Sequence, residues 1–118
     1  MPVMRWGRLQ VDMDLRLRRG AWYRVREVSA LEAVVEVNRA ALPLPRALLQ
    51  IIEKPPQKWT VVDRPANAIR IPPSWKRYGV CPNCRERVVL ERKPSAMDCP
   101  RCERSFAVGW DETYRLEH

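Results

Sequence analysis

The chain has 118 residues, 46% of them apolar, and a formal charge of +8 from 22 Lys and Arg against 14 Asp and Glu. That length holds one ordinary domain or two small ones, with enough apolar material for a packed core, which excludes wholesale disorder. Eleven prolines against four glycines weigh against long helices, and no apolar run approaches the ~18 residues of a membrane span, so no membrane partner is expected. The opening residues, MPVMRWGRLQV, contain no apolar stretch of the secretory type, which makes the cytoplasm the expected compartment.

Residues 1–53 read as strands. MDLRLR alternates, placing Met13, Leu15 and Leu17 on one face and Asp14, Arg16 and Arg18 on the other, the period of a half-buried strand. Arg19-Gly20 supplies a turn. AWYRVREV comes next, with Tyr23 and Val25 on one face and Trp22, Arg24 and Arg26 on the other. A short connector from Ser29 to Glu32 leads into AVVEV, a β-branched run. Asn38-Arg39 is a hairpin turn into ALPLP, where Pro43 and Pro45 confine the strand to an edge or to a short element. Arg46 to Leu49 forms one tight turn and Gln50 to Ile52 returns as a strand. A short helix over Arg46–Ile52 is the rival reading.

RRGAWYRVREV and LPLPRALLQII, in this order, resemble a small Src-homology-3-like barrel over roughly Leu15 to Glu53. The resemblance implies a five-stranded shape whose ending runs proline, one 3₁₀ turn, then the closing strand. No ligand is carried over, because the aromatic and acidic positions of that family's peptide groove have no match here.

Residues 54–77 form a connector rich in proline (Pro55, Pro56, Pro65, Pro72, Pro73). KWTVV and AIRI are each strand-like. Trp59, Val61, Val62, Ile69 and Ile71 are too apolar for a free linker, so the segment is expected to be partly strand and to pack on the barrel or bridge to a second module. Pro72-Pro73 is a stiff joint.

All four cysteines lie between positions 81 and 102, as CPNC at 81–84 and CPRC at 99–102. Two residues between cysteines let both thiolates of a tight turn point at one ion, and two such turns supply a soft tetrahedron. VVLER and RSFAVGW are strands around the second turn. Knuckles on short strands resemble a zinc ribbon, over about Tyr78 to Trp110 within residues 78–115. The resemblance assigns metal binding to Cys81, Cys84, Cys99 and Cys102. Many ribbons place glycine just after each knuckle, where a left-handed backbone is useful; Arg85 and Glu103 stand there instead, a departure that bears on knuckle geometry rather than on the ligand set. A module this small needs the free energy of metal binding to fold, on the order of 10–16 kcal/mol. One structural zinc per chain is expected, in a coordination sphere closed by protein ligands. Iron, a pair of disulfides and a redox pair remain as alternatives. The 14 residues between the knuckles and the missing glycines fit rubredoxin-like iron sites less well than zinc.

Residues 1–78 carry 15 Lys and Arg against 7 Asp and Glu, and residues 79–118 carry 7 against 7. The basic excess in the first two-thirds suggests an anionic partner, RNA or DNA. Arginine makes up 18 of the 22 basic residues, a bias that GC-rich coding also produces. Aromatic and basic side chains adjoin at Trp22, Arg24 and Arg26 and at Trp75, Lys76 and Arg77, which makes these the candidate nucleic-acid contacts. Lys58-Trp59 is a third such place, although Trp59 and Trp110 suit a core better. Arg85, Arg87, Arg101 and Arg104 flank the knuckles, facing a partner or balancing thiolate charge.

Nothing points to catalysis. The one histidine, His118, ends a Leu116-Glu117-His118 segment that reads as the remnant of an affinity tag. No cysteine is spare, no glycine-rich phosphate loop exists, and Asp12 and Asp14 read as a solvated strand face. No small-molecule substrate is evident. The expected protein is therefore mainly β, a small five-stranded barrel followed by a zinc ribbon. Its expected role is that of a non-enzymatic zinc-binding accessory protein contacting nucleic acid through the basic barrel; the alternative is a protein–protein interaction adaptor docking on a larger assembly.

Overall fold

In the computed structural model, which describes residues 3–11, 16–65 and 70–112, the period-two pattern of the N-terminal part becomes one antiparallel sheet of five strands. These are β1 (Arg5–Leu9), β2 (Tyr23–Val28), β3 (Glu32–Val37), β4 (Ala40–Pro45) and β5 (Leu49–Ile52), in the order β4-β3-β2-β1-β5. Alternation decides which face is buried. Tyr23 and Val25 point inward with Leu9, Ala33, Val35, Leu44 and Leu49, while Arg24 and Arg26 point out. A register shift between Val25 and Glu27 inserts a bulge that increases local twist, and the sheet curls into a half-barrel.

The β3–β4 hairpin turns on Asn38 and Arg39, both left-handed at φ 50° and 68°, the signature of a tight turn matched to strand twist. β4 with its prolines lies at a sheet edge, where missing N–H donors cost least. A 3₁₀ turn over Arg46–Leu48 then delivers β5, which pairs with β1 from Leu9–Leu49 to Trp6–Ile52. A helix through Ile52 does not form, because these residues satisfy their backbone groups by pairing along β1.

The first strand differs from expectation. Residues 12–15 lie outside the described residues. Arg16 and Leu17 form a bend, with Leu17 buried and the Arg18 N–H donating to Tyr23 Oη at 2.8 Å. The place in the sheet assigned to MDLRLR is taken by Arg5–Leu9. Its alternation is concealed because the inward position is Gly7, where a Cβ would come within 3.1 Å of Val25 Cγ2.

The chain divides into two units between Pro56 and Gln57. The second unit is a sheet of β6 (Lys58–Asp63), β7 (Arg77–Val80), β8 (Arg87–Val89), β9 (Ala96–Asp98) and β10 (Ser105–Val108), ordered β8-β7-β6-β10-β9. The strand KWTVV, expected in a connector packed on the barrel, is the central strand here, antiparallel to β7 and parallel to β10. Packing dictates this placement. Trp59 and Val61 are wholly buried in a core with Cys81, Leu90, Cys99 and Val108, and the Trp59 indole N–H donates to the Met97 carbonyl at 3.1 Å. The cysteine-bearing unit thus begins near Gln57 rather than at residue 78. Of AIRI, residues 66–69 lie outside the described residues, and Arg70 and Ile71 sit in a bend. Among the described residues no helix is long and apolar enough to cross a membrane.

Candidate metal centre and basic–aromatic faces

Each Cys-Pro-x-Cys turn is built the same way. In the first, the Arg85 N–H donates to the Cys81 carbonyl at 3.1 Å and the Cys81 N–H to the Glu86 carbonyl at 2.8 Å. In the second, the Glu103 N–H donates to the Cys99 carbonyl at 2.9 Å and the Cys99 N–H to the Arg104 carbonyl at 2.8 Å. The residue after each knuckle must be left-handed to close this ring, and Arg85 and Glu103 adopt φ 67° and 63°. The knuckle geometry is thus kept without glycine, at the steric cost of a Cβ in that region.

The four Sγ atoms lie within 4.8 Å of one another. Two of the pairs, Cys84–Cys99 and Cys81–Cys102, stand 3.4 Å and 3.7 Å apart, far beyond a sulfur–sulfur bond, and all four are free thiols. A tetrahedron of thiolates about 2.3 Å from a central ion has edges of about 3.8 Å, so the cluster is of a size to hold a metal ion such as zinc. Backbone N–H groups of Asn83 and Cys102 point at the Cys81 and Cys99 sulfurs, at 3.4 Å and 3.5 Å, stabilising negative charge there.

Without an ion these sulfurs differ. Burial pushes the Cys81 thiol up to about 12 and raises Cys84. The Asn83 side chain, with the Arg104 backbone N–H, lowers Cys102 to about 6. A buried thiolate at Cys81 therefore needs a cation beside it, and binding that cation must expel a proton.

The candidate nucleic-acid residues fall in both units. Strand register sets the outward Arg24 opposite Trp6 of β1, whereas Trp22, expected on the same exposed face, precedes β2 and is buried. Arg8 lies across the Trp22 ring, 4.4 Å from its centroid, and leaves it 7% exposed. Arg24 is exposed and lies over the half-buried Trp6 at 5.7 Å. Arg26 turns aside to Glu36 at 2.6 Å. In the second unit Trp75 is half-buried in a turn, its backbone N–H donating to the Pro72 carbonyl, and Lys76 is exposed. Arg77 leaves Trp75 and lies over Trp110, 5.3 Å from its centroid. Of the knuckle arginines, Arg101 and Arg104 are exposed, and Arg85 and Arg87 are partly buried. Sequence reasoning missed Trp6 and the approach of Arg77 to Trp110; Trp110 itself packs against the core of the second unit, as expected, while staying partly exposed. The alternation of Trp6 and Arg8 about Gly7 was the available signal for the first; Arg77 and Trp110 are too distant in sequence for any pattern to join them.

With the boundary at Pro56, the basic excess is shared. Residues 1–56 carry 10 Lys and Arg against 6 Asp and Glu, and residues 57–115 carry 12 against 7. Comparison with protein-family models, with curated proteins and with solved structures gives no match.

Proposed function

We propose that Cys81, Cys84, Cys99 and Cys102 hold one structural zinc ion, and that the protein is a non-enzymatic accessory protein that contacts nucleic acid. The convergence of four Sγ atoms within 4.8 Å carries the first part. Paired knuckles on short strands are what a zinc ribbon presents. When bound, the ion neutralises thiolate charge inside the core. With four protein ligands no position is left to activate water, so its role is to hold the fold. The test is elemental analysis, with about one zinc per chain expected; iron or no metal refutes the assignment.

The nucleic-acid part is supported by Arg24, an exposed cation with no acidic partner among the described residues, lying over Trp6 on the outward face of the half-barrel. Guanidinium groups reach phosphates and aromatic rings stack on unpaired bases. Arg24→Gln is expected to weaken binding to single-stranded RNA severalfold and to flatten its salt dependence by about 0.7 in log–log slope. Flat fluorescence anisotropy with folded, metal-loaded wild-type protein at low salt removes the reading. The adaptor reading draws on Leu31, which is 84% exposed beside β3. It requires a protein partner in pull-downs that survives nuclease treatment.

A further inference from the structure

Three chain segments converge on one ring in the C-terminal unit. Trp110 begins the 3₁₀ turn Trp110–Glu112, Arg77 begins β7, and Lys93 lies in the loop between β8 and β9. The guanidinium of Arg77 and the ammonium of Lys93 stand 5.3 Å and 5.4 Å from the Trp110 centroid. The ring itself is fixed. Its indole N–H donates to the Pro94 carbonyl at 2.6 Å, and the preceding Gly109 N–H donates to the Trp59 carbonyl at 3.0 Å. We infer that Arg77, Lys93 and Trp110 form a second contact for single-stranded nucleic acid, an inference that rests on the nucleic-acid reading proposed above.

One side of Trp110 packs against the core, and two contrasts set its cation-bearing side apart. At Trp22 a single arginine closes the ring off to 7% exposure, as a structural cation–π pair does. At Trp110 two exposed cations share a ring that stays half-open, although their mutual repulsion opposes it. Arg5, Arg26 and Lys58 each pair with a carboxylate, on Glu53, Glu36 and Asp111. Neither Arg77 nor Lys93 has an acidic partner among the described residues, and Asp111, next to Trp110, is engaged by Lys58 at 3.5 Å. Cation–π pairs occur about once per 70–80 residues, and this chain has at least four, on three tryptophans.

The chemistry selects the ligand. Two cations within 5.4 Å of one ring centroid, with no acidic partner among the described residues, call for neighbouring anions, which a phosphodiester backbone supplies. A guanidinium over a half-open indole offers planar surface to an unpaired base, which a duplex keeps stacked within itself.

The test uses full-length, zinc-loaded protein and a fluorescent single-stranded RNA of about 12 nucleotides, titrated from ~50 to ~200 mM salt. Arg77→Gln with Lys93→Gln leaves Trp110 and the core in place; zinc content and far-ultraviolet circular dichroism verify the fold. Binding at the low-salt end is expected to weaken about tenfold and the log–log salt slope to fall by about 1.4, for two lost phosphate contacts. Trp110→Phe, a milder change, is expected to lose part of the fluorescence quenching that RNA causes. Unchanged affinity and slope in the double variant, with wild-type binding intact and weakened by Arg24→Gln, overturns this inference and leaves the earlier reading standing. Competition by polyglutamate as effective as that by RNA of equal charge also overturns it, making the cluster an acidic-peptide site. Absence of any wild-type binding removes both.

Discussion

The two units are nearly equal in length and both are five-stranded sheets, yet their interiors close differently. The N-terminal half-barrel is filled by Leu9, Tyr23, Val25, Ala33, Val35, Leu44 and Leu49, of which only Tyr23 carries a side-chain polar group, its hydroxyl accepting from the Arg18 N–H. The C-terminal core is built on Trp59, Val61, Leu90 and Val108, but it also contains Cys81 and Cys99, with Cys84 and Cys102 packed against it. The four-cysteine cluster is therefore part of that core rather than an attachment at its edge. β6 enters the same core through Trp59 and Val61, so a metal held by the cysteines would support the strand at Lys58–Asp63 as well.

The largest expected effect comes from this difference. Cys99→Ser, or removal of zinc by a chelator, withdraws binding free energy on the order of 10 kcal/mol, more than so small a unit can lose. Residues 57–112 are expected to unfold while the half-barrel stays folded. Indole N–H signals in the nuclear magnetic resonance spectrum check it residue by residue. Trp59, Trp75 and Trp110 should collapse to random-coil positions, and Trp6 and Trp22 should remain dispersed. Collapse of all five refutes the independence of the units.

Acid should separate the units in the same sense, with a smaller and graded effect. The metal-free Cys81 and Cys84 thiols lie above their ordinary value of 9.0, Cys81 at about 12. Both are protonated near neutral pH, and each must release its proton when the ion binds. Apparent zinc affinity is thus expected to rise with pH, by at least about a hundredfold per unit between about pH 6 and 8. Cys102, lowered to about 6, adds to that slope only toward the acid end. Competition with a chromophoric chelator measures it, and a slope below two protons contradicts the burial of Cys81 and Cys84. The half-barrel, with no cysteine or histidine in residues 1–56, should show no such dependence.

Legibility in the sequence tracks the range of each signal. Knuckle spacing is local, so the four-cysteine cluster was legible. So were the Asn38-Arg39 turn and the edge placement of the Pro43 and Pro45 strand, which depend on backbone rules of a few residues. Gly7 interrupts the apolar alternation of β1, and only contact with Val25 explains it, so the more regular MDLRLR reads as the first strand instead. The proline run around KWTVV suggests a connector. Its membership in the second sheet depends on antiparallel pairing with β7 and on parallel pairing with β10, nearly fifty residues away. The Arg77–Lys93–Trp110 cluster likewise exists only after β7, the β8–β9 loop and the last 3₁₀ turn meet.

The smallest expected effect concerns backbone strain, present in both units. Arg39 in the half-barrel and Arg85 and Glu103 in the knuckles all hold φ between 63° and 68°, a region that costs a residue with a Cβ roughly 1 kcal/mol. Glycine relieves this cost but loosens the unfolded chain, so each substitution should gain about 0.5–1 kcal/mol at most. Glu103→Gly is the cleaner knuckle variant, since its side chain is exposed, whereas the partly buried Arg85 makes further contacts. At fixed zinc, Glu103→Gly should raise the melting temperature of the C-terminal transition by about 2–8 °C and leave the other unmoved. Arg39→Gly should do the reverse. In the presence of chelator the Arg39→Gly gain should persist while the Glu103→Gly gain vanishes, because the strained turn it relieves forms only when the four sulfurs are held together. A Glu103→Gly gain that survives chelation would mean that the knuckle is shaped by the chain alone.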